Sequence, residues 1–87
     1  MGCCFKAIGD DTRRSILSIL AKGSATAGDI ANQFKISQPT VSNHLKILKE
    51  AGLIKEEKVK QNRIYSLNKD ELKKVISSLE EIVQEKA

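Results

Sequence analysis

The stretch Ser37-Gln38-Pro39-Thr40-Val41-Ser42-Asn43-His44-Leu45-Lys46-Ile47-Leu48-Lys49-Glu50-Ala51-Gly52 decides the fold. Val41, Leu45 and Leu48 fall at i, i+4 and i+7, a single apolar stripe of a 3.6-residue helix. Ser37 is a good N-cap. Pro39 lies in the first turn, where a missing N–H is harmless. Ala51-Gly52 ends the helix. Its outer face carries Gln38, Thr40, Ser42, Asn43, Lys46 and Lys49. These are short hydrogen-bonding groups and cations, the chemistry that base edges and phosphates require. The first two turns hold no acid, whereas a merely solvated helix would carry Glu–Lys pairs four residues apart.

Just upstream, Thr26 and Asp29 form a capping box with Asp in place of the usual Glu. The helix they open runs to Phe34, with Ala27, Ile30, Ala31 and Phe34 facing inward. Lys35-Ile36 leaves room only for a turn. Two helices across so short a turn predict a helix-turn-helix.

Further toward the N-terminus, Asp10 caps a helix with Asp11 in its first turn. Ile16, Leu17 and Leu20, thickened by Ile19, make its stripe, and Lys22-Gly23 closes it. Cys3 to Ile8 forms a short helix that lays Phe5 and Ile8 on one side. Ser24-Ala25 is a link.

Beyond Leu53-Ile54 the period changes. Lys55–Lys60 and Arg63–Leu67 read as two short strands with Gln61-Asn62 at the tip, Asn supplying left-handed backbone. A basic hairpin directly behind such a helix is a wing. Leu72, Val75, Ile76, Leu79, Ile82 and Val83 then mark a final amphipathic helix with near-heptad spacing. The predicted fold is mostly α with a small β-hairpin: a winged helix-turn-helix of about five helices and a two-stranded wing, with residues 1–87 as one domain.

Charge and composition narrow the function. The 87 residues hold 15 Lys+Arg against 11 Asp+Glu, a net charge of +4. The excess sits between Lys35 and Leu67, which suits a polyanionic partner. So short a chain buries only roughly 60% of the surface that its unfolded form exposes, which leaves a monomer marginal, and dimerisation is the natural remedy. The single His, the adjacent Cys3 and Cys4, and the absence of a phosphate loop or an HExxH motif leave no parts for an active site. No cofactor is expected. His44 has no partner at ligand spacing, so no metal site is expected either. Adjacent cysteines do not staple a fold, which excludes a disulfide-built secreted domain. Without an apolar signal core or a membrane-length segment, the expected place is the bacterial or archaeal cytoplasm, with no membrane insertion.

The residues just read also carry a family resemblance. The chain is similar to the ArsR-type winged helix-turn-helix repressors. The matching pieces are Phe5-Lys6-Ala7-Ile8, Asp10 through Leu17, Ala27-Gly28-Asp29-Ile30-Ala31, Ser37 through Ile54, and Tyr65-Ser66-Leu67. Within the family it most resembles the small SdpR-like autorepressors, which lack the metal-binding motif. Asp11 stands where the family usually has Pro, and the wing has no Gly near Lys60. The segment Ala25–Ile30 lacks the paired cysteines of the metal sensors, and the last helix has acids but no His.

The resemblance implies a sequence-specific DNA-binding regulator, a dimeric repressor on a palindromic operator. The partners are double-stranded DNA and a second copy of the chain, with an unidentified inducer or anti-repressor protein left open. The expected DNA contacts are Ser37, Gln38, Thr40, Val41, Ser42, Asn43, His44 and Lys46 on the helix, with Lys58, Lys60 and Arg63 on the wing. The dimer seam implied for the first and last helices comprises Phe5, Ile8, Leu72, Val75, Ile76, Leu79, Ile82 and Val83. Two alternatives stay open: a thiol- or metal-responsive sensor using Cys3 and Cys4, and a winged-helix protein-interaction module that does not bind DNA.

Overall fold

The computed structural model describes residues 2–85, and the side chains of residues 5–84. Five helices and one hairpin follow in the order α1 (Gly2–Ile8), α2 (Asp11–Lys22), α3 (Ala27–Phe34), α4 (Gln38–Glu50), β1 (Ile54–Val59), β2 (Asn62–Leu67) and α5 (Lys69–Glu85). The side chains of Cys3 and Cys4, the residues of the thiol alternative, lie outside the described ones.

The helix starts are fixed by side chains accepting from otherwise orphaned N–H groups. Asp10 accepts from the Arg13 amide at 3.1 Å. Thr26 and Asp29 make the reciprocal capping box, at 3.1 and 3.3 Å. Ser37 accepts from the Thr40 amide at 3.3 Å. Asn68 does the same for α5, accepting from Glu71, while its side-chain amide donates to the Gly52 carbonyl at 2.9 Å. Gly52 itself has φ +81°, a left-handed turn that lets the Leu53 amide reach back to the Leu48 carbonyl.

The stripes predicted for α2, α3 and α4 meet in one core. Ile16, Ile30, Val41, Leu45, Leu48 and Leu53 are its largest fully buried side chains. Ala7 closes the α1 side, and Ile54, Tyr65 and Val75 close the hairpin and α5 sides. At about 1.5–3 kcal/mol for each fully buried aliphatic side chain, this cluster is the main stabilising term. It fixes α4 with Val41, Leu45 and Leu48 inward and the polar face outward.

The hairpin corrects the expected boundaries. The strands begin one residue earlier, at Ile54 and Asn62, and pair in the register Glu56↔Tyr65, Lys58↔Arg63 and Val59↔Asn62. The tip is therefore Lys60-Gln61, and Lys60, not Asn62, takes the left-handed backbone, at φ 58°. Cross-strand pairing, not turn propensity, sets the tip. Ala25 is also more than a link: it exchanges backbone hydrogen bonds with Tyr65 at 2.8 and 3.0 Å, anchoring the base of the wing beside α3.

The last helix departs from the body of the molecule, whose long axis reaches 50 Å against 24 and 21 Å for the other two. Leu72 and Val75 face the core, whereas Ile76, Leu79, Ile82 and Val83 are 54%, 47%, 67% and 80% exposed. Among the described residues no helix is long and apolar enough to cross a membrane.

Candidate nucleic-acid interface

At 100° per residue, α4 divides into three strips around its buried seam. Gln38, Ser42 and Lys49 lie along the edge facing the hairpin, with Lys46 next to them. Pro39 and Asn43 point most directly outward. Thr40 and His44 lie on the opposite flank, toward α1 and α2. The Gln38–Lys49 edge lines an open groove whose other walls are Thr26, Ala27 and Gly28 at the start of α3, and Glu56, Gln61, Asn62, Arg63 and Tyr65 of the hairpin.

Most of the expected contact residues are exposed: Ser37, Gln38, Thr40, Ser42, Asn43, Lys46, Lys58, Lys60 and Arg63. Of these, Gln38, Ser42, Lys46 and Arg63 line the groove. Two need restating. Val41 is fully buried in the core, as its place in the i, i+4, i+7 stripe demands, so it supports α4 from beneath and cannot touch a ligand. Ser37 caps the helix, and its Oγ also lies 2.8 Å from the Thr40 hydroxyl. His44 is half-buried, with Nδ1 3.3 Å from the Arg13 guanidinium. Guanidinium groups only donate, so in a hydrogen bond between the two it is Nδ1 that accepts.

The seam residues divide as well. Val75 is 2% exposed within the protomer, and Leu72 and Ile8 pack against the same core. Val75 is thus covered within the protomer, while Ile8 and Leu72 are only partly buried there. Phe5, Ile76, Leu79, Ile82 and Val83 remain exposed.

The register adds residues that linear reading missed. Side chains alternate across a hairpin, so Glu56, Lys58, Arg63 and Tyr65 share one face. Lys58 stands directly opposite Arg63, a like-charge pair that disfavours the hairpin unless an anion compensates. Glu56 supplies one. Its carboxylate receives Lys49 Nζ at 2.6 Å, the Tyr65 hydroxyl at 3.1 Å and Arg63 Nη1 at 3.5 Å. The Lys49 hydrogen bond, ahead of that from Tyr65, holds Glu56 below the usual carboxylate range. The same bond raises Lys49. Burial, and then Glu56, push the Tyr65 phenol up. Lys49 was detectable in the sequence, since eleven residues past Gln38 returns it to the same helix edge.

Comparison with known proteins agrees with this geometry. Residues 10–56 match the family described as bacterial regulatory protein, arsR family. The chain belongs to the arsR family. The transcriptional repressor SdpR of Bacillus subtilis (strain 168) is 53% identical over 68 residues, covering 78% of this chain and 76% of that protein. The ArsR-like transcriptional regulator from Rhodococcus sp. RHA1 has a TM-score of 0.90 at 31% identity, over 97% of this chain and 77% of that one. The homodimeric winged helix-turn-helix DNA-binding domain of Mb0332 from Mycobacterium bovis shares the fold, with a TM-score of 0.79 at 23% identity over 97% of this chain and 78% of that one.

As an arsR-family member the chain is a DNA-binding transcriptional regulator, not an enzyme. Among the described residues no cluster of three or more His, Cys, Asp or Glu could hold a metal ion.

Proposed function

We propose that this regulator is a homodimeric repressor of the bacterial or archaeal cytoplasm, which places α4 in the major groove of a palindromic operator and sets the hairpin against the flanking backbone. The observation that carries the reading is the acid-free start of α4, whose Gln38, Ser42 and Lys46 line a groove walled on its far side by the wing. Gln38 and Asn43 have the donor–acceptor pair that reads adenine bidentately, worth about 1–3 kcal/mol of discrimination per good pair. Lys46, Lys58 and Lys60 supply phosphate neutralisation, which positions the protein without reading sequence.

Dimerisation is supported by α5, whose outer half exposes an apolar stripe with no cover in the protomer. A two-fold axis along that stripe buries Ile76 and Leu79 against their own copies. Two α4 helices then address half-sites about one helical turn apart, roughly 34–36 Å, or a multiple of it. Repression is steric: the dimer covers DNA that polymerase needs. The relationship to SdpR, named as a repressor, favours repression over activation.

The test is selection of bound duplexes from a random DNA pool. Enrichment of an inverted repeat, with the two arms about one turn or a multiple apart, agrees with the reading. Enrichment of a non-symmetric site contradicts the two-fold dimer, and no enrichment contradicts sequence-specific binding.

A further inference from the structure

Glu56 occupies an unusual place for an acid on a DNA-facing surface. It lies on the hairpin face that carries Lys58 and Arg63, and its side chain is only 16% exposed. Its three polar partners come from two elements, Lys49 from α4 and Arg63 and Tyr65 from β2. Lys49 and Arg63 remain 51% and 66% exposed, so both cations reach solvent on the groove side while one shared carboxylate holds them from within. An isolated surface pair would be worth little. Here one carboxylate serves two cations and a phenol and joins the helix to the wing.

We propose that Glu56 is a specificity-determining residue that holds Lys49 and Arg63 in an internal charge cluster, withdrawing them from phosphate until a well-seated duplex competes for them. The proposal rests on the reading of the α4–wing face as the DNA surface. Loosely bound DNA of arbitrary sequence meets Lys46, Lys58 and Lys60, but finds Lys49 and Arg63 both held on the Glu56 carboxylate. A duplex seated deeply enough for its phosphates to reach the groove recovers both cations. Glu56 thereby weakens nonspecific binding more than specific binding, which widens the ratio that matters on a genome crowded with competing sites.

The experiment uses the full chain and a duplex of arbitrary sequence, with affinity followed by fluorescence anisotropy across a salt series. Each cation that gains a phosphate steepens the plot of log affinity against log salt by about 0.9. Glu56→Gln is expected to bind this duplex more tightly at low salt and to steepen the plot by about 1.8 per protomer. Its advantage over the parent then shrinks roughly twelvefold per protomer between about 50 and 200 mM salt. Glu57→Gln removes the same charge from the opposite hairpin face and is expected to produce much less of this change. Glu56→Gln placed on a Lys49→Gln, Arg63→Gln background is expected to leave that background's slope unaltered. Independently of how Glu56→Gln folds, the double variant Lys49→Gln, Arg63→Gln should flatten the parent's nonspecific slope by clearly less than the ~1.8 of two free cations.

An unchanged slope in folded Glu56→Gln, an equal change in Glu57→Gln, a persistent effect on the double-variant background, or a full 1.8 loss in the double variant alone each overturns the proposal. These outcomes leave DNA binding by the parent intact. A parent that binds no duplex at any salt removes the underlying reading and the proposal together.

Discussion

Arg13 Nη1 lies 3.3 Å from Nδ1 of His44, so a side chain of α2 holds the flank of α4. The same guanidinium donates from Nε to the Ala7 carbonyl at 2.7 Å and from Nη2 to the Lys6 carbonyl at 3.2 Å. Arg14 adds a bond to the Ile8 carbonyl at 2.7 Å. The last turn of α1 is thus closed by arginines of α2, one of which also touches α4. Arg13→Ala leaves the partly buried Ala7 carbonyl and His44 imidazole without their donor, at about 1–3 kcal/mol. A fall in melting temperature of about 4–8 °C for each kcal/mol lost is expected. Lys lacks the planar fork, so Arg13→Lys should recover little of it. Melting curves of both variants matching the parent would show that the three contacts contribute nothing.

Acid stability follows from two carboxylates. Asp10 is lowered chiefly by the hydrogen bond from the Arg13 amide, and Glu56 chiefly by that from Lys49. A carboxylate depressed on folding stabilises the native state fully above its unfolded pKa, and this contribution is lost as pH falls through the folded pKa. Melting temperature should therefore drop as pH goes below about 4, and less steeply in an Asp10→Asn, Glu56→Gln double variant. At the other end, Lys49 and Tyr65 are raised, so their contribution is complete below about pH 10 and lost above it. An acid limb as steep in the double variant as in the parent would assign the effect to other groups.

Lys60 separates stability from binding. Its φ of 58° is a left-handed conformation that costs a residue with a Cβ about 1–2 kcal/mol. Lys60→Gly relieves that strain, offset by the extra freedom glycine has when unfolded, for a net gain of a few tenths to about 1 kcal/mol. The same change removes a wing cation, lowering affinity for every DNA sequence and flattening the salt dependence by about 0.9 per protomer. Calorimetry and anisotropy on this variant should move in opposite directions. Loss of stability would contradict the turn geometry, and unchanged affinity would remove Lys60 from the DNA surface.

Ile76 and Leu79 sit at the centre of the exposed α5 stripe. Aspartate at either position places an unpaired charge in both halves of a two-fold seam. Sedimentation of Ile76→Asp, Leu79→Asp should give a folded monomer that no longer holds an inverted repeat. A double variant that remains fully dimeric would move the seam elsewhere.

How much the sequence disclosed varies by element. The start of α4 was legible because Ser37, Pro39 and the Val41–Leu45–Leu48 spacing all act locally. The capping box at Thr26 was legible for the same reason. The hairpin tip was not, because Lys60 adopts a backbone more usual for Gly or Asn under the constraint of pairing on both sides. The Ala25–Tyr65 bridge is a single-residue pairing forty positions apart and leaves no periodic trace. Burial of Val41 was implicit in its own stripe, which outweighs its place within the family-like string. The Glu56 cluster depends on hairpin register and on the approach of α4 to β1, neither of which adjacent residues encode.

The central claim is that α4 reads bases. Its most direct test compares the sequences enriched from a random duplex pool by the parent with those enriched by Gln38→Ala, Asn43→Ala and Lys46→Ala. Base preference should change at discrete positions for the Gln38 and Asn43 variants, each lost pair removing about 1–3 kcal/mol of discrimination. Lys46→Ala should weaken all sequences alike and leave the preferred motif intact. An identical motif from all four proteins would contradict the account.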